Sequence, residues 1–301
     1  MYQCFRYGAH VEEAIQNSKP IVALESTLIA HGLPSPDNLK TANKLEQLVL
    51  ENNSIPATTA IMNGEIVVGM NTEEIKLLSE SKDVLKINLS NIFAAVASGK
   101  IGATTVASTI WAVSQTDIKV MATGGIGGVH RNFAQTGDVS PDLTALGECP
   151  IAVVSAGAKS ILDLPMTVQR LETAGVPIIG YQTDEFPSFF RRESGCKVDI
   201  KVESIEELAN ICKIHWKCGR KTAVLIVNPV PEEDELPLEI WESAWEQTQR
   251  ESENVTGRDL TPFLLSRLDE LTKGETVKTN IALLENNVTL ASKLAVLLNN
   301  I

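Results

Sequence analysis

Short apolar runs of strand length recur along this chain, and most are followed by a segment patterned for a helix. PIVALES (20–26), IKVMATGG (118–125), PIAVVSA (150–156), VPIIGYQ (176–182) and TAVLIVN (222–228) are apolar along most of their length rather than strictly alternating. Such runs suit strands covered on both faces. Amphipathic stretches such as 37–53 and 203–217 lie between them. This alternation restricts the chain to an α/β fold with a mostly parallel or mixed central sheet. ATTAIM and EIVVGM (57–62 and 65–70) flank Asn63-Gly64 and predict a hairpin. SPDLTALGE starts a helix at Ser140, with Pro141 in its first turn. KSILDLPMTVQRLETAG (159–175) predicts a helix interrupted by Pro165. From about residue 235 only helical patterns remain, over 236–253, 260–272 and 275–299, which predicts a helical C-terminal segment.

No linker, repeat or low-complexity tract divides the 301 residues, so one domain over 1–301 is expected. A formal net charge of −12 argues against nucleic acid or an anionic membrane as partner, because both would repel it. The opening residues are too polar for a secretory signal, and no apolar run is read as long enough to cross a bilayer. Five irregularly spaced cysteines (4, 149, 196, 212 and 218) predict free thiols and a cytoplasmic location. Cys212, His215 and Cys218 lack the paired close thiols and fourth ligand of a zinc site and read as a partly buried helix face.

Candidate chemistry gathers where strands end. MATGGIGGVHRN (121–132) puts glycines directly after an apolar strand, where backbone N–H groups can approach a phosphate or simply form a tight turn. The dinucleotide fingerprint fails, because its third glycine falls on His130, and no Gly-Lys-Ser/Thr makes a P-loop. His130 and Arg131 favour an anion. Glu25 closes the strand IVALE, where α/β sheets bind ligands, although a rim or capping role is the commoner one for a lone acid. Asp138 and Asp142 bracket a helix start and either favour its dipole or serve a hard cation. Thr104 and Thr105 can hold a phosphate or be β-branched strand residues, Lys86 in VLKIN can be a solvated edge residue, and His31 sits in a turn. Lys159, in SAGAKSILDLP, falls at a strand-to-helix join. It is either a surface lysine or an amine in apolar surroundings. Such surroundings favour the neutral amine, the form that makes imines with carbonyl carbons.

In order, ALESTLIAHGLPSPDNL, PATTAIMNGEIVVGM, GATTVAST, ATGGIGGVHRN, DVSPDLTAL, VVSAGAKSILDLP, TVQRLETAGVPIIGYQTDEFPSFF and TPFLLSRLDELT resemble the pseudouridine-5′-phosphate glycosidases, the family that includes indigoidine synthase A-like proteins. The matches run from residue 23 to about 290. The resemblance implies an α/β/α homotrimer that uses one divalent ion per subunit, typically Mn²⁺ with Mg²⁺ as the alternative. The family reversibly splits pseudouridine 5′-phosphate into uracil and ribose 5-phosphate. Carried over by position, Glu25 is the general acid, Lys159 the nucleophile and Asp138 the metal ligand. Ser140, Pro141 and Asp142 line the substrate, as do Lys86 and the backbone around Val106, with His130 and Asn280 on the phosphate side. Two departures stand out. Asn88-Leu89-Ser90-Asn91 replaces the family's Ser-Arg-Arg-Asp, and Pro141 replaces its alanine. The first keeps open a relative that acts on another C-ribosyl or sugar-phosphate compound, or a silent sugar-phosphate-binding protein. Two carboxylates suffice for ordinary glycosides. A carbon–carbon glycosidic bond calls instead for an amine that can become an imine.

Overall fold

The computed structural model describes residues 4–252, 255 and 260–299. Its strands are β1 Phe5–Tyr7, β2 Ile21–Leu24, β3 Ile55–Met62, β4 Glu65–Val68, β5 Leu85–Ile87, β6 Gly102–Thr104, β7 Val120–Ala122, β8 Val129–His130, β9 Ala152–Ser155, β10 Leu162–Asp163, β11 Ile178–Tyr181, β12 Ile200–Val202 and β13 Val224–Val227. The helices between them are α1 Ala9–Gln16, α2 Asp37–Glu51, α3 Thr72–Glu80, α4 Ile92–Ser98, α5 Val106–Ser114, α6 Phe133–Thr136, α7 Pro141–Glu148, α8 Leu164–Thr173 and α9 Ile205–Lys217. Then come α10 Leu238–Glu251, α11 Leu260–Thr272 and α12 Glu275–Leu298. Of the helix expected over 236–253, residue 253 lies outside the described residues.

Eleven strands form one sheet, in the order β1-β4-β3-β2-β7-β9-β13-β11-β12, with β6 pairing β3 and β5 pairing β6. Its long run from β3 through β2 to β12 is parallel. Antiparallel pairing enters through the β3–β4 hairpin across Asn63-Gly64 and the β3–β6 pair. The sheet is thus parallel-dominated and mixed. Strands β2, β7, β9 and β13 are buried along their whole length, as strands covered on both faces must be. Helices α2, α12 and α9 pack beside one another as one layer, and α5, α7 and α8 as another.

Two expectations need correction. Helix α8 starts at Leu164, so Pro165 occupies its first turn rather than breaking it. Proline has no N–H to lose there, and Asp163 caps the helix by accepting from Met166 N at 3.0 Å. Helix α12 is also long and apolar enough, by length and composition, to cross a membrane. Here it packs on β7, β9 and β2, and twelve of its residues are buried, Leu283, Val288 and Leu294 fully. It behaves as a core helix whose apolar surface is spent on the sheet.

Candidate active site

The parallel strands β2, β7 and β9 point their carboxyl ends the same way, and the loops that leave them there, with the loop that follows the antiparallel β6, close over one cavity of about 240 Å³. Glu25 directly follows β2. Its segment is stitched down on both sides. Ser26 Oγ donates to Thr59 O at 2.6 Å and accepts from Thr104 N at 2.9 Å, and Thr27 Oγ1 donates to Thr104 O at 2.8 Å. A single π-type turn, Leu28–Gly32, then carries His31 to the wall of a smaller adjoining compartment; such turns recur at functional sites.

Thr123, directly after β7, donates from Oγ1 to Glu25 Oε1 at 2.6 Å. Glu25 touches the open cavity but is otherwise enclosed by protein. Desolvation therefore holds its carboxyl above the ordinary carboxylate range, against the opposing pull of Lys159, the Thr123 hydrogen bond and Lys86. Desolvation likewise holds His130 below the usual imidazole value, opposed by Asp138 and reinforced by Lys159 and Lys86.

Lys159 does not open a helix, as its sequence context predicts. It stands in a loop between β9 and β10 that is paired back onto the glycine run. Ile126 N donates to Gly157 O at 3.0 Å and Lys159 N to Ile126 O at 3.1 Å. Gly157 makes this possible with φ +72°, at a point where a Cβ would collide with the Pro187 carbonyl. Arg131 Nη2 donates to Ser160 O at 3.2 Å, and its guanidinium lies 4.7 Å from the Trp245 ring centre. The glycines are therefore used for close approach of backbone. At Gly127 a Cβ would collide with Ser140 Oγ, and the Gly127 N–H is taken by Asp142 Oδ2 at 2.7 Å.

Asp142 is buried, and its Oδ1 accepts from Ala107 N at 2.9 Å. One carboxylate thereby clamps the start of α5, the glycine run and the start of α7 together. The N-terminal turns of α5 (Thr105, Val106) and α7 (Ser140, Pro141) both face the cavity, with Lys86 beside them. Helix N-termini with a nearby ammonium make a site for an anion.

Nine of the residues expected from the sequence line this cavity: Glu25, Lys86, Val106, His130, Asp138, Ser140, Pro141, Asp142 and Lys159. Asn280 does not. It lines an adjoining compartment of about 60 Å³ with Phe189, Leu265, Leu284 and the Thr123–Gly125 backbone. The two compartments meet at Glu25, Thr27, Lys86, Lys159 and Thr261. Asn280 thus lies on the apolar side of the Glu25–Lys159 pair rather than with the helix N-termini, because α12 closes that side. Its Oδ1 is buried with no hydrogen-bond partner, which suits a ligand that brings an N–H. Thr123 and Phe189 complete the walls. Thr123 had a signal in its place beside the glycines. Phe189, at φ +61° in an irregular loop, had none. A further cavity of about 290 Å³, with Lys19, Asp117 and Lys119 in its wall, lies at the amino ends of β2 and β7, away from this chemistry.

Among the described residues no three His, Cys, Asp or Glu side chains gather to hold a metal. Asp138 Oδ2 has His130 Nε2 at 3.8 Å. A hard divalent ion that keeps most of its waters needs only one or two carboxylates together with substrate phosphate oxygens. This donor set fits an ion held that way.

The family model described as "Indigoidine synthase A like protein" matches residues 10–297. The chain is 46% identical over 293 residues to a pseudouridine-5′-phosphate glycosidase of Caldanaerobacter subterraneus subsp. tengcongensis, which covers 97% of this chain and 95% of that protein. It is 44% identical over 297 residues to one from Staphylococcus aureus, with 98% and 97% covered. Among solved structures, the prealnumycin C-glycosynthase AlnA in complex with ribulose 5-phosphate superposes with a TM-score of 0.92 at 34% identity, covering 100% of this chain and 98% of that one. An indigoidine synthase A-like protein of Thermotoga maritima superposes with a TM-score of 0.90 at 37% identity, with 99% and 98% covered.

Proposed function

The chain belongs to the indigoidine synthase A-like family, and from that membership we infer that it is a pseudouridine-5′-phosphate glycosidase, which reversibly splits its substrate into uracil and ribose 5-phosphate. The observation that carries this reading to the residues is the junction of two unlike compartments at Glu25 and Lys159. The larger has helix N-termini and Lys86 for a phosphate. The smaller has Phe189, Leu284 and the unpaired Asn280 Oδ1 for a flat, polar-edged base.

The proposed chemistry runs at that junction. Glu25 gives a proton to the ribose ring oxygen as the C1′–O4′ bond breaks, and the Lys159 amine bonds to C1′. The bonded nitrogen gives its extra proton back to the Glu25 carboxylate, and that carboxyl passes a proton to uracil C5. The nitrogen lone pair forms the C1′=N bond as the C1′–C5 bond breaks, and uracil leaves. Water adds to the iminium, which releases ribose 5-phosphate and restores the amine. The acid requires a carboxyl that keeps its proton near neutrality, and the raised pKa of Glu25 supports that role.

In this proposal a Mn²⁺ ion, with Mg²⁺ as the alternative, is held by Asp138, water and the phosphate. Such an ion offsets phosphate charge when bound. One domain spanning the chain, a cytoplasmic homotrimer and the absence of a nucleic-acid or membrane partner complete it. The five free cysteines and the net acidity support the location and the partner expectations.

The test is release of uracil from pseudouridine 5′-phosphate with Mn²⁺, followed by absorbance, together with borohydride treatment in the presence of ribose 5-phosphate. Uracil release and a reduced sugar adduct on Lys159 are expected. No release overturns the activity; release without an adduct overturns the imine. A second reading, C–C bond chemistry on a different acceptor, is favoured by the match to a C-glycosynthase and by Asn88 in the cavity wall, where the family has serine before two arginines. It predicts turnover of ribose 5-phosphate with other aromatic acceptors and little with uracil.

A further inference from the structure

Helix α12 lines the apolar compartment with Asn280 and Leu284. One turn after Leu284, on the same face, is Asn287, which is fully buried. Its neighbours on the helix, Leu283, Leu284, Val288 and Ala291, are apolar and buried, so an amide here is costly unless its bonds are made. They are made. Nδ2 donates to Thr123 O at 2.9 Å and to Gly124 O at 3.3 Å, and Oδ1 accepts from Asn228 Nδ2 at 3.0 Å. Asn228 follows β13, and its own N–H donates to Ser155 O at 2.9 Å. The ends of β7, β9 and β13 are thereby tied to α12 through two amides. The donor from Asn228 also fixes which end of the Asn287 amide faces Thr123.

We propose that Asn287 is a positioning residue for the general acid, holding the Thr123 backbone so that its hydroxyl stays on Glu25 Oε1. With Oε1 accepting from Thr123, the transferable proton belongs on Oε2. Loss of the tether frees the carboxyl to rotate and to put its proton on either oxygen. This rests on Glu25 being the acid of the proposed reaction. The charged groups that act on Glu25 are Lys159, Lys86 and Asp142, with His31 and His130 in the walls of the two compartments.

The test is Asn287→Ala, read in two ways. In steady-state kinetics with pseudouridine 5′-phosphate and Mn²⁺, kcat falls on the order of 10- to 100-fold, while KM stays within about twofold. In infrared titration, with Glu25→Gln as the difference reference, the protonated Glu25 carboxyl band persists to higher pH than in wild type, because the weakened Thr123 bond had favoured the carboxylate. An unmoved titration, or a rise in KM with kcat unchanged, overturns the proposal. If Asn287→Ala does not fold, Asn228→Ala, which removes only the orienting donor and keeps the backbone bond to Ser155, must shift both readouts in the same directions; no shift overturns it. Wild type without turnover defeats the assigned activity, whereas the infrared titration still decides the tether.

Discussion

Glu25 is kept in surroundings that penalise its charge, and that has a cost the protein would escape by giving up the residue. Because its folded pKa is raised, the native state holds a proton that the unfolded chain releases at lower pH. Stability therefore falls as pH climbs from the ordinary glutamate range towards the raised folded value. Glu25→Gln keeps the shape and removes the titration. It should melt at a higher temperature than wild type at pH 7, with the gap closing towards pH 4, while activity drops about 10²- to 10⁴-fold. Melts across pH beside rate measurements would check both; equal melting temperatures at pH 7 would refute the stored penalty. Glu25 and Lys159 were legible in the sequence because they stand at or just past the ends of apolar strands, where α/β ligands bind. Asn280 entered only through the family resemblance, as a phosphate-side residue. Which side of the junction it faces depends on how α12 lies across the strand ends, and Asn287 on the same helix was invisible for the same reason, whereas Phe189 stands in an irregular loop with no local signal.

At the scale of elements, the anion side depends on two short helices being aimed at one point. Asp142 does this by accepting from Ala107 N and Gly127 N. Asp142→Ala leaves two buried N–H groups unpaired, a loss of roughly 2–6 kcal/mol. It should also raise KM at least about tenfold, because α5 and α7 lose their common anchor. Urea unfolding and initial rates would measure the two effects; a destabilised protein with wild-type KM would show that the clamp serves the fold alone. The sequence announces α7 through Ser140 and Pro141. It is quieter about α5, where Thr105 and Ser108 form a capping box but the preceding Gly-Ala-Thr reads as strand. Helix α8 was expected five residues early, since nothing local says that Lys159 is held in a loop by Ile126, far along the chain.

Across the whole molecule, the recurrence of apolar runs made the parallel-dominated sheet legible. Strand order was not, because register across β2, β7, β9 and β13 is a matter of long-range pairing. The helical character of the chain from about residue 235 was also plain, but not that its longest helix would pass into the core and supply one wall of the site. The junction between the compartments has a consequence in time as well as in space. On the proposed imine chemistry, a base in the joining direction has no electrophile to meet until a sugar phosphate has entered the larger compartment and become attached to Lys159. The two reactants are then not exchangeable in sequence: ribose 5-phosphate should bind to the free protein, and uracil should bind measurably only once the sugar is present. Equilibrium dialysis of labelled uracil with and without ribose 5-phosphate would reveal this order, and equal binding in both would deny it. An enzyme arranged in this way commits its sugar first and chooses its base second.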